Sequence, residues 1–135
     1  MAHVDYLLDT VNPPVRDKTV NWIKEQIDSI IGPKSFDTIA VRGLSGIGIG
    51  SIIAYIYKKD LCILRKTDDK SNHSNLRLEC LDVKKYIIID DLVDSGDTCK
   101  EIIEGVEEEH LNSECVKIIL YSDRRLKNKA DILIV

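Results

Sequence analysis

The feature that most constrains this chain is a short apolar segment that runs directly into two acidic residues. The segment is Tyr86-Ile87-Ile88-Ile89-Asp90-Asp91. Three consecutive isoleucines without alternation predict a strand that is buried on both faces, which is typical of a parallel sheet. Ligands of such sheets bind beyond the carboxyl ends of the strands, so Asp90 and Asp91 are expected at the mouth of a site.

The turn that follows the acids suits a phosphate group. Ser95-Gly96-Asp97-Thr98 precedes a helical pattern. Its backbone N–H groups are therefore expected to point outward at the N-terminus of a helix, where anions bind. Carboxylates for a sugar diol or a metal ion thus lie beside an amide cradle for a phosphate, a combination that suits a phosphorylated ribose.

The order of the predicted elements indicates an α/β fold. Amphipathic or wholly apolar helical patterns alternate with short apolar strands, which is typical of a single domain with a mostly parallel sheet flanked by helices. The predicted helices span about 15–31, 47–57 and 98–110, and a polar loop spans 65–75. The predicted strands span about 38–41, 61–64, 76–83, 86–90, 116–121 and 132–135.

Length and charge narrow the class of protein. A chain of 135 residues is expected to form one domain, 1–135. Its net charge of −4 lacks the basic footprint of a nucleic-acid partner. No apolar run approaches the ~18 residues of a membrane span, and the N-terminus lacks the basic region of a signal peptide. The cysteines form no CxxC pair, so we expect free thiols in a reducing, cytoplasmic compartment.

The segment Ile88 to Thr98 resembles the signature of the type I phosphoribosyltransferases. In that family two acids follow a hydrophobic strand and precede a D-[ST]-G-x-T loop. The resemblance implies an enzyme that transfers the 5-phosphoribosyl group of phosphoribosyl pyrophosphate (PRPP) to a purine or orotate-like base, with release of pyrophosphate. It also implies a base-binding hood, which is reduced here because only 1–37 and 123–135 could supply it.

The same resemblance implies roles for the residues of the signature. Asp90 and Asp91 would contact the ribose hydroxyls and hold Mg²⁺, and Asp94 would also act as a base on the acceptor. The 5′-phosphate would be bound by the loop that contains Asp94, Ser95, Gly96, Asp97 and Thr98.

Two upstream segments complete the implied site. Arg42, Gly43, Leu44 and Ser45 lie between a predicted strand and a predicted helix, where the family holds the pyrophosphate. A basic loop resembles the flexible loop of orotate phosphoribosyltransferases, which would neutralise the departing pyrophosphate, although its Lys-to-His interval is one residue longer and Ser74 replaces a glycine. This loop contains Arg65, which would bind, and Lys66, Lys70 and His73, which would be catalytic.

The sequence suggests two further interpretations of its function. The chain could be a non-catalytic regulatory module of the same fold that binds PRPP or a nucleotide. The chain could also bind a dinucleotide, because Gly46-Ile47-Gly48-Ile49-Gly50 is similar to a dinucleotide-binding fingerprint. The third glycine is out of register for that motif, which disfavours dinucleotide binding. The expected partners are PRPP, a nucleobase and, by analogy, a second copy in a homodimer, with no nucleic acid and no membrane. His3 and His110 belong to no motif.

Overall fold

The computed structural model describes residues 8–65, 78–91, 97–121 and 132–133. The helices in this part of the chain are α1 (Leu8–Val11), α2 (Pro13–Gln26, continued by a π-helical turn over Ile27–Ile31), α3 (Gly43–Tyr57) and α4 (Asp97–Glu109). The strands are β1 (Thr38–Arg42), β2 (Asp60–Leu64), β3 (Leu78–Glu79), β4 (Lys85–Asp90), β5 (Glu114–Leu120) and β6 (Ile132–Leu133).

These strands form one sheet in the order β3-β2-β1-β4-β5-β6. The four central strands β2, β1, β4 and β5 are parallel to one another, whereas β3 and β6 pair antiparallel at the two ends. The prediction of an α/β fold with a mostly parallel sheet is therefore confirmed. A parallel sheet needs cover on both faces, which explains why its strands are apolar without alternation.

Alternate residues of β4 supply two separate cores. Ile87 and Ile89 lie in the cluster that also contains Ile23 of α2 and Ile53 of α3. Tyr86 and Ile88 lie in the other cluster, together with Ile102 and Val106 of α4. Because side chains alternate between the faces of a strand, α2 and α3 cover one face of the sheet and α4 covers the other.

Glycines let α3 pack closely against the sheet. A Cβ atom on Gly50 would lie 2.4 Å from Val41 Cγ1, and one on Gly46 would lie 3.3 Å from Val41 Cβ and 3.4 Å from the carbonyl oxygen of Ile89. A Cβ atom on Gly48 would instead lie 2.5 Å from Cγ2 of Thr10 in α1. The three glycines therefore serve packing within a helix, which agrees with the rejection of a dinucleotide fingerprint.

The structure corrects several predicted boundaries. The helix α3 begins at Gly43, four residues before the predicted start, so Gly43 to Ser45 form its first turn. The helix α2 begins at Pro13, because Asn12 Oδ1 accepts a hydrogen bond from Val15 N at 3.2 Å and proline is favourable in a first helical turn. In the described chain β3 covers only Leu78–Glu79 of the predicted 76–83. None of the described helices is long and apolar enough to cross a membrane.

Candidate functional site

The strand order reverses between β1 and β4, which defines where a ligand is expected. From β1 the chain proceeds to β2 on one side, and β4 then returns to the other side of β1. Parallel sheets bind ligands at such switch points, in the crevice beyond the carboxyl ends of the strands. In this chain β1 ends at Arg42 and β4 ends at Asp90, which is followed by Asp91.

Arg42 and Asp90 lie side by side at this edge. The register pairs Thr38 with Tyr86 and Ala40 with Ile88, and its continuation places Arg42 beside Asp90. Since Arg42 and Asp90 share the parity of Ala40 and Ile88, both side chains lie on the face covered by α4. The positive charge of Arg42 favours the ionised form of Asp90, which confirms their proximity.

The helix α4 adds a carboxylate that also contacts Arg42. An oxygen of Glu101 lies 3.0 Å from Nη2 of Arg42, and the side chains are 35% and 14% exposed, respectively. The Nε of Arg42 is buried and has no hydrogen-bond partner among the described residues. Arg42 is thus held by one carboxylate while it retains an unused donor.

Asp90 is the most perturbed acid of the site. Its side chain is almost fully buried, at 3% exposure. Burial first, and then the neighbouring charge of Asp91, raise the pKa of Asp90 from its usual value near 3.8 to about 7, and Arg42 only partly opposes this shift. Near neutral pH the carboxyl group of Asp90 is therefore present in both its neutral and its ionised form. This behaviour is expected of a carboxyl group that binds a cation together with its ligand.

Two helices begin at this edge of the sheet. Gly43, the first residue of α3, has a φ of 79°, a conformation that only glycine adopts without strain. Among the described residues no side chain caps the first turn of α3, so its first N–H groups lack a partner within the helix, and Leu44 is 68% exposed. The Ser45 side chain is buried, and its carbonyl oxygen accepts a hydrogen bond from Tyr121 Oη at 3.1 Å. Ser45 could therefore reach an anion only through its backbone.

The second helix, α4, begins close to the acids. Its first residue is Asp97, and Thr98 is half-buried in its first turn. Burial raises the pKa of the Cys99 thiol in α4, and the charge of Asp90 raises it further. Cys99 is therefore close to Asp90, and α4 covers the face of the sheet on which Asp90 lies. A helix N-terminus, two acids and Arg42 thus lie at one edge of the sheet.

The structure brings together some of the predicted site residues and separates others. Arg42, Gly43, Asp90, Asp91 and Thr98 lie along the switch point. Arg65 forms an ion pair with Glu79 at 2.9 Å across the β2–β3 hairpin. The predicted residues Lys66, Lys70, His73, Asp94, Ser95 and Gly96 lie outside the described residues.

Mg²⁺ fits the chemistry of the acids. Among the described residues there is no group of three His, Cys, Asp or Glu side chains that could enclose a metal ion alone. Mg²⁺, however, is commonly held by one or two carboxylates, with substrate oxygens and water in the remaining positions. Asp90 and Asp91 supply such a pair, and their mutual repulsion is a physical reason for them to bind a cation.

Sequence reasoning missed Glu101. A signal was present, because Thr98, Glu101, Ile102 and Gly105 share one stripe of a helix by their spacing. A charged residue beside the inward-facing Ile102 indicates a buried partner of opposite charge. The identity of that partner, Arg42, depends on the strand order and could not be read from the helix alone.

Solved structures resemble this arrangement over most of the chain. UMP synthase from Leishmania donovani superposes with a TM-score of 0.64 at 23% identity, covering 83% of this chain and 23% of that protein. Adenine phosphoribosyltransferase from Saccharomyces cerevisiae superposes with a TM-score of 0.65 at 18% identity, covering 86% of this chain and 76% of that enzyme. The chain has the fold of the type I phosphoribosyltransferases. The fold that was expected from the resemblance of the 88–98 signature is thus confirmed.

At the level of sequence a different class of protein is similar. The transcriptional regulator GfcR of Methanocella arvoryzae is 26% identical in an alignment of 129 positions that covers 88% of this chain. The chain spans only 57% of that regulator's length. No protein-family profile matches the chain. The chain is therefore similar in fold to solved phosphoribosyltransferases and similar in sequence to a transcriptional regulator.

Proposed function

We propose that the chain binds PRPP with Mg²⁺ at the β1–β4 switch point and transfers its phosphoribosyl group to a nucleobase, releasing pyrophosphate. The observation that carries this proposal is the placement of Asp90 and Asp91 beside the Arg42–Gly43 turn, at the carboxyl edge of a phosphoribosyltransferase-type sheet. Acids for a ribose diol, a guanidinium group for a diphosphate and a helix N-terminus for a phosphate then face one crevice.

The charges of the site explain how each part of PRPP would be held. The ribose hydroxyls would donate to Asp90 and Asp91. The 5′-phosphate would lie at the N-terminus of α4 near Thr98, where the helix dipole favours an anion. The diphosphate would accept hydrogen bonds from the first turn of α3 and from the guanidinium group of Arg42, whose side chain is 14% exposed. The predicted residues of the 92–96 loop would extend the phosphate site.

With these contacts the protein would catalyse the reaction mainly by stabilising negative charge. A bound Mg²⁺ would supply electrostatic stabilisation to the departing diphosphate. The protein groups would orient the ribose and hold the 5′-phosphate as a remote handle, so that binding energy positions the reacting carbon. Arg42 would stabilise the charge that develops on the leaving group. Asp94, Lys66, Lys70 and His73 remain predicted contributors.

Pyrophosphate release tests this proposal. The purified protein would be mixed with PRPP, Mg²⁺ and a panel of bases: adenine, hypoxanthine, guanine, xanthine, uracil and orotate. We expect release that depends on one class of base. The double variant Asp90→Asn with Asp91→Asn should lose at least ~2 kcal/mol of transition-state stabilisation, about 30-fold in rate. Asp82→Asn, which changes an exposed carboxylate outside the site, is the matched control; near-wild-type turnover in the double variant would overturn the assignment.

A second candidate function is a PRPP-binding regulatory module without catalysis. The similarity to a transcriptional regulator over 88% of the chain favours it. The chain itself carries a net charge of −4, which gives it no overall attraction to the phosphates of a nucleic acid. Under this proposal the site would bind PRPP as a signal.

Calorimetry separates the two candidates. PRPP would be titrated into the wild type and the Asp90→Asn, Asp91→Asn variant, each with and without Mg²⁺. Binding that requires the acids, without pyrophosphate release for any base, would support the regulatory module. Binding with base-dependent release would support the transferase. Absence of PRPP binding to a folded wild type would exclude both.

A further inference from the structure

Two cysteines face each other away from the phosphoribosyl site. The antiparallel pair β2–β3 places Ile63 opposite Glu79 and Leu64 opposite Leu78, and the next pair in this register is Cys62 with Cys80. Directly opposed residues of antiparallel strands have Cα atoms about 4.5–5.5 Å apart, within the range that a disulfide spans. Cys62 and Cys80 pack in the same apolar cluster, and each thiol shifts the pKa of the other, so the two side chains are close together.

The two thiols differ in access and in partners. Cys62 is fully buried, whereas Cys80 is only partly buried. The Cys80 sulfur also lies 3.4 Å from Nε2 of His110, at the end of α4. Burial raises the pKa of both thiols, so a base in contact with Cys80 is needed to supply the reactive thiolate. The Nε2 atom of His110 is placed to accept that proton.

We propose that Cys80 and Cys62 form a reversible disulfide by exchange with a small neutral or cationic disulfide, with Cys80 as the attacking thiol and Cys62 as the resolving thiol. Such a bond is transient in a reducing compartment, as is usual for redox-sensing pairs. It would tie the edge strand β3 to β2.

The exchange balances in two steps. The Cys80 thiol gives its proton to His110 and its sulfur attacks one sulfur of the external disulfide, whose other half leaves as a thiolate and takes up a proton. Cys62 then loses its proton and attacks the Cys80 sulfur, which releases the second external thiol. Two protein thiols are oxidised to one disulfide, and one external disulfide is reduced to two thiols.

The charges around the pair select the oxidant. Glu109 and Asp60 lie close enough to raise the pKa of the Cys80 thiol further, and so does Glu79, although its charge is partly offset by the ion pair with Arg65. This negative field attracts a cationic disulfide and repels an anionic one. We therefore expect cystamine to react fastest, 2-hydroxyethyl disulfide more slowly and glutathione disulfide slowest, with roughly tenfold between the first and last.

Thiol counting and peptide mapping test the proposal. The four cysteines fall on different tryptic peptides, with Cys62 in 60–65 and Cys80 in 78–84. After cystamine treatment the folded protein should lose two of its four free thiols. The 60–65 and 78–84 peptides should be linked, and dithiothreitol should separate them. Retention of all four thiols, a lasting mixed disulfide on Cys80, or a link through Cys99 or Cys115 would overturn the proposal.

Variants assign the order of attack. Cys62→Ser should stop at a stable mixed disulfide on Cys80, and Cys80→Ser should leave Cys62 unmodified, so the proposal stays testable if only one of them folds. His110→Asn should slow the first step without preventing the second. Cys115→Ser, a buried thiol that donates to the Lys117 carbonyl instead, is the matched control and should react as the wild type does. Equal reactivity of Cys62 in the wild type and in Cys80→Ser would contradict the proposed order.

Discussion

Replacement of Asp90 by Asn should stabilise the unliganded protein at high pH more than at low pH. Asp90 is almost fully buried, and burial and Asp91 raise its pKa from near 3.8 to about 7. Between these two values the folded state binds more protons than the unfolded state, so this group makes stability fall as pH rises. An amide in the same place has no such dependence.

The magnitude follows from the two pKa values. A shift of three units corresponds to about 4 kcal/mol of unfolding free energy when the group is ionised. Part of this cost is already present at pH 5, and nearly all of it at pH 8. The difference attributable to Asp90 between pH 5 and pH 8 is therefore about 2–3 kcal/mol.

Urea denaturation at pH 5 and pH 8 measures this difference. The quantity of interest is the stability of Asp90→Asn minus that of the wild type, because it removes the contribution of every other titrating group. It should become more positive by about 2 kcal/mol from pH 5 to pH 8. Asp82→Asn, at an exposed position, should show no such change. An Asp90→Asn difference that is the same at both pH values would refute the argument that a buried carboxyl group is forced to ionise here.

Two further substitutions test the site and the packing behind it. Glu101→Gln removes the carboxylate 3.0 Å from Arg42 and should tighten pyrophosphate binding by about fivefold, or ~1 kcal/mol, in calorimetry. Glu104→Gln, exposed on the same helix, should leave the affinity unchanged, and equal effects of the two would show that only net charge matters. Gly50→Ala should cost ~1–3 kcal/mol of unfolding free energy, because its Cβ would lie 2.4 Å from Val41 Cγ1. Val41→Ala should cost less in the Gly50→Ala background than alone, and additive costs would contradict the contact.

The strand that carries the acids was predictable because its signal is local. An apolar run without alternation indicates that both faces of β4 are buried, and the acids that follow it indicate where the strand ends. The helix α3 shows the opposite case. Its glycines weaken the local helical signal, so the predicted start at 47 was late. Close packing of Gly46 and Gly50 on Val41 stabilises a helix that local propensity underestimates.

The contacts across the site could be predicted only in part. A neighbouring position for Arg42 and Asp90 was expected from the resemblance, whereas their shared face depends on the register of β1 with β4. The Glu101 contact also requires that α4 cross the same face. His110 had no motif, because its partner Cys80 is brought to it only by the packing of the hairpin beside α4. Sequence patterns report burial well, but they do not report which buried groups meet.

The balance of charge at the switch point links the two ligands of the proposed function. Among the described residues, Asp90, Asp91 and Glu101 surround Arg42, so acids outnumber the cation that would receive a diphosphate. A diphosphate alone would meet repulsion, and a cation alone would lack the phosphate oxygens that complete its coordination. Each ligand should therefore strengthen the binding of the other by the same factor, as linkage requires. Because burial first and then the charge of Asp91 raise the pKa of Asp90, binding of a cation should also release a proton from this site near neutral pH.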